Sequence, residues 1–382
     1  MTRVPSTIIA LLVLLLLSAG AAYARTLTVA ANGVDSAHCG TSVPCRSVSQ
    51  AINLAVDGDS IVVGPGRYGD LNLNGTFGES GEEAAPAGCA CMIQIAKSVA
   101  VVSRDGAYST VLDAGGAAGP SALAVVQIAA SGVVFGRARQ GFTIINGGGA
   151  GVTVVDAAAG LRTRGVRIEG HVITRNGAGV RLDADASSVV GNVIIANTGD
   201  ALTIDGAQDQ VLRNVAIGNG QGVSTRAERT TFQDNALVAN AGPGFFVEAA
   251  SANAYLRNLV VGNSYGFFMR PAVSYGEAPA IRNNDILGNL GNGIATGMSA
   301  TATGNNITGN AVAILDGIAD GDHCGLFADE TEPVLATQNY WGDSLGPGQL
   351  NADHNCSPKN AVVIPFARSA YRFGEGPRGV MP

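Results

Sequence analysis

Five short stretches, "GVRLD" (Gly179 to Asp183), "ALTID" (Ala201 to Asp205), "GVSTR" (Gly222 to Arg226), "FFVE" (Phe245 to Glu248) and "FFMR" (Phe267 to Arg270), carry the chain's most suggestive chemistry. Side chains of a strand alternate between two faces. Taking Val180, Leu182, Leu202, Ile204, Phe245, Val247, Phe267 and Met269 as inward leaves two outward series. One reads Arg181, Thr203, Ser224, Phe246, Phe268; the other reads Asp183, Asp205, Arg226, Glu248, Arg270. Aromatic rings suit the faces of pyranose rings, arginines suit uronate carboxylates, and carboxylates serve as general acids or bases. The expected substrate-binding set is therefore Arg181, Arg226, Phe246, Phe268 and Arg270. In a catalytic version Asp205 is the general acid or base, with Asp183 and Glu248 assisting. If the stretches stack, Asp183 and Asp205 lie roughly 5 Å apart at the backbone and Asp205 and Glu248 roughly 10 Å. Those separations bracket the carboxylate spacings of retaining and inverting glycosidases. The competing expectation is a solvated face whose charges pair across turns, each pair contributing ~0 to 1 kcal/mol.

Whether the stretches stack depends on what lies between them. Interleaved with them and continuing beyond them is a recurring phrase: "GNVIIAN" (Gly191 to Asn197), "RNVAIGN" (Arg213 to Asn219), "DNALVAN" (Asp234 to Asn240), "RNLVVGN" (Arg257 to Asn263), "NNDILGN" (Asn283 to Asn289) and "GNNITGN" (Gly304 to Asn310). Its first Asn falls at Asn192, Asn214, Asn235, Asn258, Asn284 and Asn305, in steps of 22, 21, 23, 26 and 21 residues. "GHVITRN" is an earlier copy with His171 in that slot, and "GFTIIN" (Gly141 to Asn146) an older one still. A period in the low twenties means stacked repeats. The intervening residues are too β-branched for helices and lack 3.6-residue periodicity. A coil of short strands remains, about three per turn, successive turns ~4.8 Å apart. Identical Asn side chains can then bond up and down a column, having both donors and acceptors. Asn also tolerates the left-handed backbone of a sharp corner.

Residues 1–24, "MTRVPSTIIALLVLLLLSAGAAYA", combine Arg3, an apolar stretch from Ile8 to Leu17 and an Ala-Tyr-Ala ending. This predicts a secretory signal peptide cleaved after Ala24, hence a periplasmic or secreted protein without a membrane span. The apolar stretch is shorter than the ~20 residues a bilayer requires. With 23 basic against 30 acidic residues the formal charge is −7, which lacks the basic footprint nucleic acid needs. Six cysteines in an exported chain are expected to pair with their neighbours, Cys39 with Cys45, Cys89 with Cys91 and Cys324 with Cys356. The four histidines lack zinc-ligand spacing. Asp183 and Asp185 could share a Ca²⁺, although two ligands are few for a cation taking about six to eight oxygens; no other cofactor is expected. The acidic, Gly-rich segment from Gly69 to Gly88 is expected to project as a loop.

The repeat resembles right-handed parallel β-helix proteins, the pectin lyase-like superfamily with its parallel β-helix repeats. "CGTSVPCRSVSQAINLAVDGDSIVVGPGRY" (Cys39 to Tyr68) is similar to that group's N-terminal cap, with a short helix presenting Val48, Ile52 and Ala55 on one face. "NYWGDSLGPG" (Asn339 to Gly348) followed by "VVIPFA" (Val362 to Ala367) resembles its closing segment, with Trp341 as a plug. The resemblance implies an all-β, single-domain solenoid of about ten turns: cap at 25–60, repeats at 61–316, and a C-terminal loop, last turn and cap at 317–382. It also implies a polysaccharide partner. The Asn-Thr-Asp, Asp-Asp, Gly-His-Gly and Arg-Ile-Lys set of polygalacturonase-like members is missing, as is the acidic cluster of calcium-dependent pectate lyases. A polysaccharide lyase or glycoside hydrolase is thus one expectation, and a non-catalytic surface or adhesion scaffold the other.

Overall fold

The computed structural model describes residues 24–373 apart from 75, 85, 116–122, 158–159, 249–250, 271–275, 312–323, 330–332, 350–351 and 358. The expected signal peptide, save Ala24, lies outside the described residues. The strands form three parallel sheets of 13, 11 and 10 strands, and each strand pairs with its counterpart one repeat away. The phrase-bearing strands, such as Val193–Ile195, Val215–Ile217 and Ala236–Val238, build the 10-stranded sheet. The five stretches that open the sequence argument run through the 11-stranded sheet, as Ala178–Asp183, Asp200–Asp205, Gln221–Thr225, Phe245–Glu248 and Phe267–Arg270.

Alternation fills the coil with inward columns of side chains. In the 13-stranded sheet Ile168, Val189, Val211, Phe232, Tyr255 and Ile281 follow one another in register, all fully buried. In the 11-stranded sheet Val180, Leu202, Val223, Phe245 and Phe267 do the same. Each such side chain stabilises the coil by up to ~1.5–3 kcal/mol.

Two buried ladders run along the corners. In the first, each Asn from Asn192 to Asn305 bonds to the next through Nδ2, ending on Asn339. In the second, Asn176, Asn197, Asn219, Asn240, Asn263, Asn289 and Asn310 connect likewise, and the Asp353 carboxylate closes the column, accepting from Asn310 Nδ2 at 2.7 Å. "GFTIIN" is in register with "GHVITRN", so Phe142 holds the slot of His171. The left-handed corner residue, however, is the one before each Asn and not the Asn itself: Gly191, Arg213, Asp234, Arg257, Asn283 and Gly304 have φ of 60°, 55°, 56°, 51°, 59° and 71°. The Asn side chain must point inward to reach its column, so the preceding residue makes the turn and spends its N–H on the next turn, as Arg213 does on the Gln233 carbonyl. A third, mixed column links Ser187, Asp209, Thr230 and Asn253.

Both ends are covered. Thr26–Val29, within the N-terminal cap segment, is already a strand of the 13-stranded sheet, paired with Ser60–Val63. The helix Val48–Leu54 begins at Ser47, whose Oγ accepts from Gln50 N at 3.1 Å, and buries Val48, Ala51 and Ile52. The segment from Gly69 to Gly88 does not project. It folds back, because Glu83 is drawn to the helix start, accepting from Val48 N at 2.8 Å and from Ser49 N at 2.7 Å, while Phe77 packs on the core. Charge from the first helical N–H groups favours a carboxylate there. At the far end Trp341 is fully buried, and Ala361–Val362 adds the last strand of the 13-stranded sheet. The three disulfides are Cys39–Cys45, Cys89–Cys91 and Cys324–Cys356.

Candidate functional site

The outward side of the 11-stranded sheet brings the sequence-selected residues together. Arg181, Thr203, Ser224, Phe246 and Phe268 are successive register partners, continued by Ala295 and Phe327 on one side and by Thr153, Gln127 and Gln94 on the other. In the second column Asp183 is paired with Asp205 and Glu248 with Arg270. Arg226 sits just past the strand Gln221–Thr225, between the two pairs.

At the acidic end, charges are clasped. Arg226 holds Asp205 with two parallel bonds, Nη2 to Oδ2 at 3.0 Å and Nε to Oδ1 at 3.2 Å. Arg162 spans Asp183 and Asp185, with Nη1 to Asp183 Oδ1 at 2.7 Å and Nε to Asp185 Oδ1 at 2.8 Å, and donates Nη2 to the Asp205 carbonyl at 2.9 Å. These hydrogen bonds to carboxylates hold both guanidiniums above their ordinary pKa. The Arg162 guanidinium thus lies between Asp183 and Asp185. Sequence reasoning missed Arg162, although the period marks it: it lies one repeat before Asp183.

A second missed residue is Asp200, which opens its strand. Its Oδ2 accepts from Thr203 Oγ1 at 3.1 Å and its Oδ1 from Gln221 Nε2 at 2.9 Å. Burial pushes its carboxyl above the usual range, opposed by those bonds and by the charge of Arg181. Its position before the alternating part of "DALTID" hides it from a pattern of outward residues.

At the other end the character is aromatic. The Phe246 and Phe268 rings lie nearly parallel, 5.9 Å apart with 9° between planes, and Tyr265 leans on Phe268 at 5.1 Å. The Arg270 guanidinium covers both phenylalanines, 5.3 Å and 5.7 Å from their centroids, and reaches Glu248 at 3.9 Å. The face is thus a strip about five strands long, graded from paired carboxylates to a cation-capped aromatic step. It can hold rings and carboxylates; each carboxylate of the catalytic version already meets an arginine.

A family model described as periplasmic copper-binding protein (NosD) matches residues 128–272. Those residues do not fit a copper ion: they contain no cysteine, one methionine (Met269) in the core, and one histidine, His171, whose Nδ1 accepts from Phe142 N at 3.0 Å and whose Nε2 meets the Phe135 carbonyl at 2.9 Å. Among the described residues one group of potential ligands lies close enough for a metal, Asp35 with Cys39 and Cys45, and both of its sulfurs are in a disulfide. No curated protein matches the sequence. Among solved structures, pectate lyase Pel9A is similar at 14% identity and TM-score 0.55, over 92% of this chain and 82% of that one. The A-module of the Azotobacter vinelandii mannuronan C-5 epimerase AlgE6 is similar at 16% identity and TM-score 0.56, over 84% and 92%. A rhamnogalacturonan lyase is similar at 13% identity and TM-score 0.50, over 91% and 88%. With three parallel sheets and one strand per turn in each, the chain has the right-handed parallel β-helix fold of these structures.

Proposed function

We propose that this protein is exported and recognises an acidic polysaccharide lying along the outward face of the 11-stranded sheet. The observation that carries the reading is the Phe246–Phe268 step with Arg270 beside it. Stacked rings one strand spacing apart match pyranose faces, and a guanidinium at the same place matches a carboxylate. The resembling folds are named for pectate, mannuronan and rhamnogalacturonan, which supports the same class of partner. Three disulfides and a family match described as periplasmic support an oxidising compartment.

Recognition is favoured over cleavage because Arg162 and Arg226 bind the Asp183 and Asp205 carboxylates that a general acid or base would need free. A second reading, a non-catalytic scaffold, draws on the same ion pairs. Binding of the purified protein to immobilised acidic and neutral glycans decides among them, alongside the Phe246→Ala, Phe268→Ala double variant. Expected is retention on polyuronates that the variant loses, with no release of reducing ends or unsaturated products. Retention unchanged in the variant, or binding to no glycan, overturns recognition; product release reinstates catalysis.

A further inference from the structure

Toward the C-terminal end of the same face, the outward column continues from Phe268 through Ala295 to Phe327. Two strand spacings put Phe327 roughly 10 Å beyond Phe268 at the backbone. Phe327 also lines a cavity of about 390 Å³, together with Asp329, Cys356, Ser357, Lys359 and Asn360. The cavity follows from how the sheet ends. The strand Cys324–Ala328 pairs with His354–Asn355, and past the bond from Cys356 N to the Leu326 carbonyl, side chains replace the ladder. Ser357 Oγ donates to the Ala328 carbonyl and accepts from Ala328 N, both at 2.8 Å, and Asn360 Nδ2 donates to the Asp329 carbonyl at 2.8 Å. A side chain holds its backbone farther off than a ladder bond does, so the closing segment stands away from the strand and space opens beside Phe327. That segment lies on the side away from Phe268, tied by the Cys324–Cys356 disulfide.

The chain has two lysines, and they are used differently. Lys97 spends its ammonium on the Ile52, Asn53 and Ala55 carbonyls at 2.9, 2.8 and 2.7 Å, closing the end of the helix Val48–Leu54. Lys359 is exposed at the cavity and, among the described residues, forms no ion pair. Its ammonium suits a carboxylate, the half-buried Phe327 ring suits a pyranose face, and the exposed Asp329 carboxylate accepts hydroxyls. The volume lies within the ~300–1,000 Å³ of small-ligand sites. We propose that this cavity is the terminal subsite of the glycan face: it takes the end unit of a polyuronate, ring against Phe327, carboxylate on Lys359 Nζ and a hydroxyl on Asp329. The proposal rests on the glycan reading above. A polymer lying along the column from Phe246 meets the closing segment just past Phe327, so the protein binds chain ends and not chain interiors.

Titration calorimetry of the full protein with size-fractionated short and long oligogalacturonates tests it. End binding fixes the stoichiometry at one protein per chain whatever the chain length, whereas binding along chain interiors puts more proteins on longer chains. Expected is one protein per chain for both fractions, and affinity about three- to tenfold weaker in Lys359→Gln, the loss of one charge-assisted contact. Lys359 is exposed, so this variant keeps the fold. Phe327→Ala should weaken binding likewise. Stoichiometry that rises with length, or native affinity in both Lys359→Gln and Phe327→Ala, overturns the terminal subsite; if Phe246→Ala with Phe268→Ala still abolishes binding in that case, the glycan face itself stands. No binding of either fraction to the native protein overturns both.

Discussion

Asn214 Nδ2 donates to Asn235 Oδ1 at 3.1 Å and to the Val189 carbonyl at 2.9 Å, while its own Oδ1 accepts from both the backbone N and Nδ2 of Asn192, at 3.1 Å and 3.0 Å. One side chain thus satisfies groups on the turns before and after it. Asn258 repeats the pattern toward Asn284 and Phe232. Replacing either with Leu leaves several fully buried polar groups without partners, each costing ~1–3 kcal/mol. Asn214→Leu and Asn258→Leu should each lose at least ~3 kcal/mol by chemical denaturation. An unchanged midpoint in both would remove the ladder from the account of stability.

His171 heads that ladder, its backbone N donating to Asn192 Oδ1 at 3.0 Å, with its ring packed against both Phe135 and Phe142. Burial pushes the ring down to about 4. The neutral ring accepts from Phe142 N at Nδ1, where a proton would meet another N–H. Because the folded pKa is depressed, the unfolded chain takes up a proton first as pH falls. Stability is full above about 6.5 and is lost as pH falls from there through about 4. His171→Asn should be weaker at neutral pH for lack of stacking, yet lose about 2–3 kcal/mol less than the native protein between those limits. Parallel acid slopes for the two proteins would contradict this.

Asp209 has the opposite sign. It is 1% exposed, its Oδ1 accepts from Ser187 N at 2.8 Å, and its Oδ2 has no partner. Burial raises its carboxyl to about 7, with the nearby Asp185 charge adding to the rise. A raised folded pKa means its contribution is fully present below the unfolded value of 3.8 and is lost as pH rises through about 7. Asp209→Asn keeps the Ser187 bond and removes the buried charge. It should stabilise the protein by about 2 kcal/mol at pH 8 and by little at pH 4. Stabilisation of equal size at both pH values would assign the effect to something other than titration.

These columns show where sequence suffices. The Asn ladders were legible because one residue type recurs at one slot, and the outward columns because the 11-stranded sheet keeps strict register from Arg181 to Phe268. The Ser187–Asp209–Thr230–Asn253 column was invisible: four residue types do one job there, and no phrase repeats. The segment from Gly69 to Gly88 failed for a different reason. Its composition reads as a solvated loop, and only the three-dimensional position of the helix start explains why Glu83 turns inward. Arg162 lies outside the strands that carry the columns, so counting alternation could not reach it, although counting repeats could.

Arg270 gives the sharpest test of the proposed glycan face, because it does two opposing things. Its guanidinium caps the Phe246 and Phe268 rings, and a sugar stacking on them must first move it aside. An exposed cation–π contact of this kind is worth about 0.5–1 kcal/mol. The same charge, only loosely paired with Glu248 at 3.9 Å, is the one nearest the aromatic step for a uronate carboxylate. Arg270→Ala should therefore change specificity rather than abolish binding. Affinity for neutral glycans should rise ~2- to 5-fold as the ring faces open, while affinity for polyuronates falls and loses part of its salt dependence. Thermal stability should hardly move, since the ion pair is exposed. If both glycan classes weaken together in the immobilised panel, Arg270 acts by holding the rings in place; if neither changes, the glycan does not lie across this step.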